Sequence, residues 1–203
     1  MYAIGHIALG YILGKITASL TKTRITLPLI FGLSILPDID LIIPRISHRG
    51  PTHSIITILI LFTPLFFYYG RKTLPYIIAY AQHSLIGDYI TGNGVQLLWP
   101  INHIWYGGEN LLGNQTSILL ELTSFVASIL ILIANGDLWK LLKPHPTNLT
   151  LIIPLGAIVS PSLLAFPMEA PAELLIPHLI YMIILTTSIL LDLKKLIIRK
   201  IKF

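Results

Sequence analysis

The feature that most constrains this chain is the near absence of charge along its long apolar stretches. Only 11% of the 203 residues are charged and 54% are hydrophobic, whereas an ordinary soluble domain is near 25% charged. A membrane-spanning helix needs roughly 20 mostly apolar residues, with a range of about 17 to 25. The sequence therefore predicts an all-α, polytopic membrane helix bundle of about seven spans. The predicted spans run near residues 3–20, 26–43, 54–70, 74–91, 116–134, 149–167 and 174–192.

The whole chain, 1–203, is predicted to be a single integral membrane domain. The apolar runs are continuous and lack the alternation of a membrane barrel. After the fourth span, the glycine- and proline-broken piece 91–110 is too short for another span and indicates a loop or re-entrant segment. We expect a polar-rich half over 1–110, further spans over 111–193 and a basic tail over 194–203.

Lysine and arginine in short loops predict the orientation of the chain. If the spans alternate, most of the positive residues fall on one side, together with the basic tail. The other side carries Glu109, Glu169 and Glu173, and its only positive residues are Arg45 and Arg49. This pattern predicts an external N-terminus and a cytoplasmic C-terminus in the inner or plasma membrane. The tail then meets anionic membrane lipids, and no nucleic-acid partner is expected.

Four separated polar pieces reach the same predicted outer face. They are the start "GHIALG", "PDID" at the end of span two, the loop "HRGPTHS", and "QHSLIGD" at the end of span four. Ionisable residues at such depth are expensive and indicate a functional site. Imidazole and carboxylate are ligands of divalent metals, best of zinc, and the chain has no cysteine. The pieces predict a site for one or two ions. Their ionisable residues are His6, Asp38, Asp40, His48, Arg49, His53, His83 and Asp88.

Local patterns refine two of these pieces and leave alternatives open. Gly50 and Pro51 predict a tight turn that folds His48 and His53 toward each other, and Thr52 or Ser54 would cap the next helix. Taken alone, this heptad is more typical of a surface turn. Pro37 predicts an irregular end to span two. Asp38 and Asp40 would point the same way only in an extended chain, and Asp38 alone is equally typical of a helix cap.

His83 and Asp88 are five residues apart, about 140° around a regular α-helix, so they would not share a face. A local π-bulge would absorb one residue and align them. The alternative is that His83 bonds to a neighbouring helix and is not a ligand. His103 and Glu109 are near enough to add to the site, but each is more typical of an ordinary interfacial residue.

The order of "GHIALG", "LPDID", "HRGPTHS" and a His and Asp before "TGNGVQLLWP" resembles the YdjM-like family of membrane proteins, which are assigned as metal-dependent hydrolases. The resemblance covers roughly residues 1–105, and nothing recognisable covers the last three spans. It implies a multi-helix inner-membrane protein with a His/Asp metal site and no established substrate. The family places its histidine four residues before the aspartate, where Ser84 stands here, and Leu41 stands where a further histidine is common. By motif position the resemblance carries over His6, Asp38, Asp40, His48, His53 and Asp88.

The leading hypothesis is a membrane-bound metal-dependent hydrolase at the outer face that acts on a lipid-like phosphoester or ester. Its metal ligands would come from the His/Asp set, His48 would be a ligand or the general acid/base, and Arg49 would hold a developing negative charge. One alternative is a non-enzymatic metal-binding or transport protein. Another is a structural subunit of a membrane complex, in which the polar cluster only ties helices together.

Overall fold

The computed structural model describes residues 1–108, 110 and 112–201, and within the last stretch the side chains only up to residue 195. The fold in these ranges is all-helical, as the apolar runs predicted, with two isolated bridges and no strand. Glu109, most of the basic tail's side chains and Lys202 lie outside this description. The α-helices are α1 Ala3–Thr21, α2 Leu27–Ile35, α3 Ile55–Tyr69, α4 Leu74–Gln82, α5 Asp88–Ile90, α6 Gln115–Ala134, α7 Asp137–Leu141, α8 Ile152–Leu163 and α9 Ala172–Ile201. Short 3-10 helices cover Leu36–Ile42, Pro51–His53, Gly70–Thr73 and Pro146–Leu151, and a π-helix covers His83–Gly87.

Five helical runs in the described residues are long and apolar enough to cross a membrane. They are Ala3–Thr21, Ile55–Ile90, Gln115–Ala134, Pro146–Leu163 and Ala172–Lys195. The predicted span 26–43 is not among them, because α2 has only 9 residues and continues as a 3-10 helix. The figure of seven spans stays a prediction.

The run Ile55–Ile90 is a helical hairpin rather than one long rod. The ring centroids of Phe62 and Tyr80 lie 5.5 Å apart. On a continuous helix their separation of 18 positions would place these rings about 27 Å apart. The chain reverses at Gly70, whose φ of 58° lies in the left-handed region that glycine adopts without strain. The Thr73 hydroxyl closes the turn by donating to the Leu65 carbonyl, 3.1 Å away.

Helix α1 lies at the centre of the bundle, against α2, α4 and α6. Its residues Ile4, Ile7 and Tyr11 are fully buried. Gly10 permits close approach to α2, since a Cβ there would lie 2.3 Å from the Cβ of Ser34. Small residues at such crossings are typical of membrane helices. The close packing brings the start of α1 beside the last residues of α2 and α4.

The second half of the chain closes around the start of α1. The backbone N–H of Tyr2 donates to the Glu121 carboxylate on α6, 2.9 Å away. The Tyr2 hydroxyl donates to the backbone carbonyl of Glu169, 3.1 Å away, and its ring meets the His178 ring of α9 edge-on. The later helices therefore support the same end of the bundle that carries the polar pieces.

A buried carboxylate ties the other half of α1 to α7. Asp137 is 1% exposed and accepts hydrogen bonds from Tyr11 (3.0 Å), Lys140 (2.6 Å) and Lys15. Burial alone would raise the pKa of the Asp137 carboxyl, but the hydrogen bonds from Lys140, Lys15 and Tyr11 outweigh it and hold the pKa below its usual range. Asp137 therefore stays ionised in the folded protein.

Replacing Asp137 with alanine should lower the free energy of unfolding by about 1–3 kcal/mol, because a buried hydroxyl and an ammonium lose their acceptor. Since the folded-state pKa is depressed, this contribution is complete above the unfolded-state value of about 3.9 and is lost as the pH falls. The thermal midpoints of wild type and variant in detergent should therefore converge at acid pH. The control Lys140→Ala removes a 63% exposed partner and should cost less than about 1 kcal/mol. A gap that widens at low pH would contradict this account.

Candidate metal centre

The two aspartates of "PDID" lie on a 3-10 helix that follows α2. Pro37 stands at the start of this segment, so the predicted irregular end of span two is confirmed. The chain is not extended, and the two carboxylates face different ways. They approach the ring of His53 from both sides: Asp38 Oδ1 lies 3.5 Å from His53 Nε2, and Asp40 Oδ2 lies 3.2 Å from His53 Nδ1. His53 is the residue that links them.

The heptad "HRGPTHS" folds back on itself as Gly50 and Pro51 predict. The rings of His48 and His53 meet edge-on with centroids 5.5 Å apart. Ser54 caps α3 by accepting the Thr57 N–H, 3.0 Å away. Thr52 has another role: its hydroxyl donates to Asp40 Oδ2 at 2.8 Å. The turn thus wraps around one carboxylate of the preceding segment.

A π-bulge, one of the two alternatives for the His83 to Asp88 spacing, directly follows α4. A single π-helical turn covers His83–Gly87. The His83 ring is fully buried, and its Nδ1 donates to the backbone carbonyl of Ser34, 2.8 Å away. That bond leaves Nε2 facing Asp38 Oδ1 at 3.2 Å and Asp88 Oδ2 at 3.6 Å. The bulge therefore aligns His83 and Asp88, and His83 also reaches a neighbouring helix through its other nitrogen.

Four side chains converge on one point with metal-ligand geometry. Asp38, His53, His83 and Asp88 each offer one ligand atom, and these atoms all lie within 4.8 Å of one another. Among the described residues, His53 Nε2 and Asp88 Oδ2 are buried without a hydrogen-bond partner. Buried polar atoms are normally satisfied, and a divalent cation would satisfy both. Two imidazoles and two carboxylates suit zinc and other first-row divalent ions.

His6, which the sequence placed in the ligand set, lies beside this group of four. Its ring stacks on that of His83 with centroids 3.6 Å apart, and its Nε2 is 3.5 Å from Asp88 Oδ1. Neither ring nitrogen has a hydrogen-bond partner in the described part of the chain. A Cβ on Gly87 would lie 2.4 Å from the His6 ring, so the glycine leaves room for it. His6 is therefore within reach of an ion shared with Asp88.

Asp40, the one aspartate of the sequence-based ligand set that lies outside the group of four, is positioned behind His53. Its carboxylate faces His48 Nδ1 at 2.9 Å and accepts the Arg49 N–H at 3.1 Å, in addition to its contacts with Thr52 and His53. Together with His48 and His53 it forms an adjoining three-donor group. A carboxylate behind a metal-binding histidine fixes its ring and tautomer. The structure favours this orienting position for Asp40.

Three carboxylates surround the His53 ring. Burial alone would lower the pKa of its imidazole, but the adjacent Asp38, Asp40 and Asp88 carboxylates outweigh burial and raise the pKa well above its ordinary value. Because a ligating imidazole is neutral, a metal ion bound at His53 would compete with a proton for the ring nitrogen.

Arg49 brings a positive charge to the edge of the group. It is 8% exposed, and its Nη2 lies 3.2 Å from Asp88 Oδ1. The loop after α5 supports it: Gln96 N–H donates to the Arg49 carbonyl at 2.9 Å, and a Cβ on Gly92 would lie 2.1 Å from Arg49 Nη1. The predicted loop therefore covers this part of the site, whereas His103, further along it, is exposed and lies outside the cluster.

A comparison with known protein families covers the residues that form this centre. The YdjM inner membrane protein family matches residues 1–169 of the chain, more than four fifths of its length. The chain belongs to this family. The match continues well past residue 105, so the view that nothing recognisable covers the fifth and sixth spans was wrong. No curated protein and no solved structure matches the chain.

In this YdjM family member, the sequence reasoning missed supporting residues on the helices around the centre. Glu121 is fully buried on α6, where it accepts the Tyr2 N–H. Because Glu121 lies inside a predicted span, its carboxylate alone would have been enough to mark it as a candidate functional residue. Gln82 donates to the His6 carbonyl at 3.0 Å, and Ser34 contributes only its backbone oxygen to His83. A backbone acceptor leaves no signal in the sequence.

Proposed function

We propose that this YdjM family member is a metal-dependent hydrolase that acts at the outer membrane face on a lipid-like phosphoester or ester. The observation that carries the proposal is the four-donor group of Asp38, His53, His83 and Asp88 with a buried arginine at its edge. A purely structural cluster would have its polar atoms paired with one another. Here His53 Nε2 and Asp88 Oδ2 lie 3.3 Å apart, yet neither atom makes a hydrogen bond in the described residues.

The four residues would hold one or two divalent ions, with zinc as the best match to the donors and His6 beside them. Such an ion acts as a Lewis acid and lowers the pKa of water to near neutrality. Asp40 and the Ser34 carbonyl orient His53 and His83 through their Nδ1 atoms. The loop over Arg49 limits access of bulk water to this side of the centre.

Arg49 and His48 provide the remaining chemistry. The Arg49 guanidinium is a planar donor suited to an anionic group, and it would stabilise the negative charge that develops on a phosphoryl or carbonyl oxygen. His48 has its Nδ1 on Asp40 and a side chain that is 36% exposed. Its other nitrogen makes no hydrogen bond in the described residues and could move a proton between the site and water, which suits a general acid/base. The Lys/Arg pattern of the loops, with alternating spans, supports an external position for the centre.

The test is hydrolysis of p-nitrophenyl phosphate, bis-p-nitrophenyl phosphate and p-nitrophenyl acetate by purified, metal-loaded protein. Metal-dependent turnover of at least one compound is expected. Stoichiometric metal with no turnover of any ester in a broad screen would contradict the hydrolase assignment. Metal flux into proteoliposomes without hydrolysis would support a transport protein, and absence of bound metal would support a structural subunit.

Replacing Arg49 with alanine should lower kcat/KM by about 10²–10³-fold while metal content stays at the wild-type level, because the arginine stabilises charge without ligating the ion. Gly92→Ala should produce part of this loss, since the added methyl displaces the guanidinium. The exposed His103→Ala change in the same loop is the control and should leave kcat/KM unchanged. If Arg49→Ala instead releases the metal, the arginine holds the centre together and has no charge-stabilising role.

A further inference from the structure

An apolar cavity continues outward from the metal centre. Its volume is about 480 Å³, within the roughly 300–1,000 Å³ of ordinary ligand pockets. One end is formed by Asp38, His48, Arg49 and Asp88, the residues of the proposed site. The rest is lined mainly by apolar residues of the 3-10 helix after α2 and of α8. The cavity therefore joins a polar, catalytic end to a long apolar end.

Exposed apolar side chains flank the apolar end. Ile42 on one wall is 74% exposed, and Ile152 on the other is 65% exposed. The lining residues of α8 extend from Ile152 to Pro161, nine steps or about 14 Å along the helix. Exposed apolar side chains at the rim and an apolar interior suit a hydrocarbon chain that enters from the membrane.

Gly156 lies in the middle of this wall, and no protein atom accounts for its missing side chain. A Cβ added there meets no heavy atom within 4 Å. Gly10 is different, because α2 packs directly against it. Helix packing thus does not explain glycine at 156, and the missing side chain leaves the cavity wider along α8.

The polar end selects an anionic head. Arg49 Nε is buried and has no hydrogen-bond partner among the described residues, and Nη2 reaches Asp88. A small soluble anion would meet this guanidinium but leave the apolar end to water. An amphiphile satisfies both ends: its head meets the arginine and the ligand group, and its chain displaces water from apolar walls.

We infer that the cavity binds one apolar chain of a membrane amphiphile whose phosphoryl head lies at the metal centre against Arg49. This assignment rests on the proposed hydrolase function for the identity of the head group. It adds a substrate-binding groove along α8 that the metal ligands alone do not specify. The occupant is a membrane lipid or lipid-like phosphoester, not free phosphate.

The experiment uses the full-length, metal-loaded protein in phosphatidylcholine nanodiscs and a dodecyl phosphate with a diazirine at the end of its chain. After photolysis, mass spectrometry of peptides locates the adducts. We expect them on residues 36–42 and 152–161, suppressed by excess dodecyl phosphate and not by inorganic phosphate. Gly156→Phe should reduce this labelling by about tenfold, the lower range for discrimination in an apolar pocket. Leu163→Phe introduces the same ring at a 70% exposed site on α8 outside the cavity and should leave labelling unchanged.

Equal labelling of the two phenylalanine variants, or adducts spread over all lipid-facing helices, would overturn the chain-binding groove. So would competition by inorganic phosphate as strong as that by dodecyl phosphate. Elemental analysis of Gly156→Phe should give wild-type metal content, which shows that the fold is intact. Specific labelling without hydrolysis of any test ester would reject the proposed hydrolase and keep the groove. Hydrolysis of p-nitrophenyl phosphate together with diffuse labelling would support the hydrolase and reject the groove.

Discussion

Replacing His53 with alanine is expected to reduce the metal content of the purified protein to background. His53 is fully buried, and its Nε2 lies 3.5 Å from Asp38 Oδ1 and 3.3 Å from Asp88 Oδ2, so it is the ligand that joins the two carboxylates. Without His53, the site loses one of its two imidazole ligands. The measurement is elemental analysis after purification in the presence of zinc.

The carboxylate of Asp40, next to His53, allows a comparison with a variant that should weaken metal binding only in part. Asp40→Asn keeps the shape of the side chain but weakens the hold on His53 Nδ1, so affinity for metal should fall by about 10–100-fold, as for other residues behind a ligand. At high zinc concentration Asp40→Asn should load fully, whereas His53→Ala should not. His103→Ala removes an exposed histidine and should bind as wild type does. Full metal occupancy in His53→Ala would show that the four-donor group is not the metal site.

Local rules predicted the parts of this site that depend on neighbours in sequence. Gly50 and Pro51 predicted the fold-back of His48 and His53. The five-residue spacing of His83 and Asp88 left a π-bulge as one of two alternatives, and the structure contains the bulge. In each case the geometry is decided within one turn of chain. The sequence therefore carries enough information to predict geometry that depends only on residues close together in the chain.

Other features depend on which segments pack together, and the sequence does not contain that information in readable form. The position of Asp40 behind His53 depends on how the heptad docks on the 3-10 helix. The cavity along α8 depends on the early end of α2, which was predicted as part of a full span. Alternating spans placed the polar pieces on one face, but they gave no distances. The sequence could therefore identify candidate ligands by residue type, but it could not separate the residues that contact the metal from those, such as Asp40, that lie behind them.

The π-bulge allows a test in which loss of a residue preserves the site. Deleting Leu85 should convert His83–Gly87 into regular α-helix and leave His83 and Asp88 four apart, where about 400° of rotation returns them to one face. Leu85 is 40% exposed, so its removal costs little packing. We expect metal content within the range of wild type, measured by elemental analysis.

The control is deletion of Ile78 within the regular helix α4. No bulge absorbs that deletion, so everything after it rotates by about 100° relative to α4, and either His83 and Asp88 leave the cluster or α4 loses its contacts with α1. Metal content should fall to background. If the Leu85 deletion also loses metal, the π-turn positions the ligands in a way that a regular helix cannot reproduce. If both deletions keep metal, His83 and Asp88 do not hold it. Opposite outcomes for two single-residue deletions seven positions apart are expected only if the bulge serves to align these two side chains.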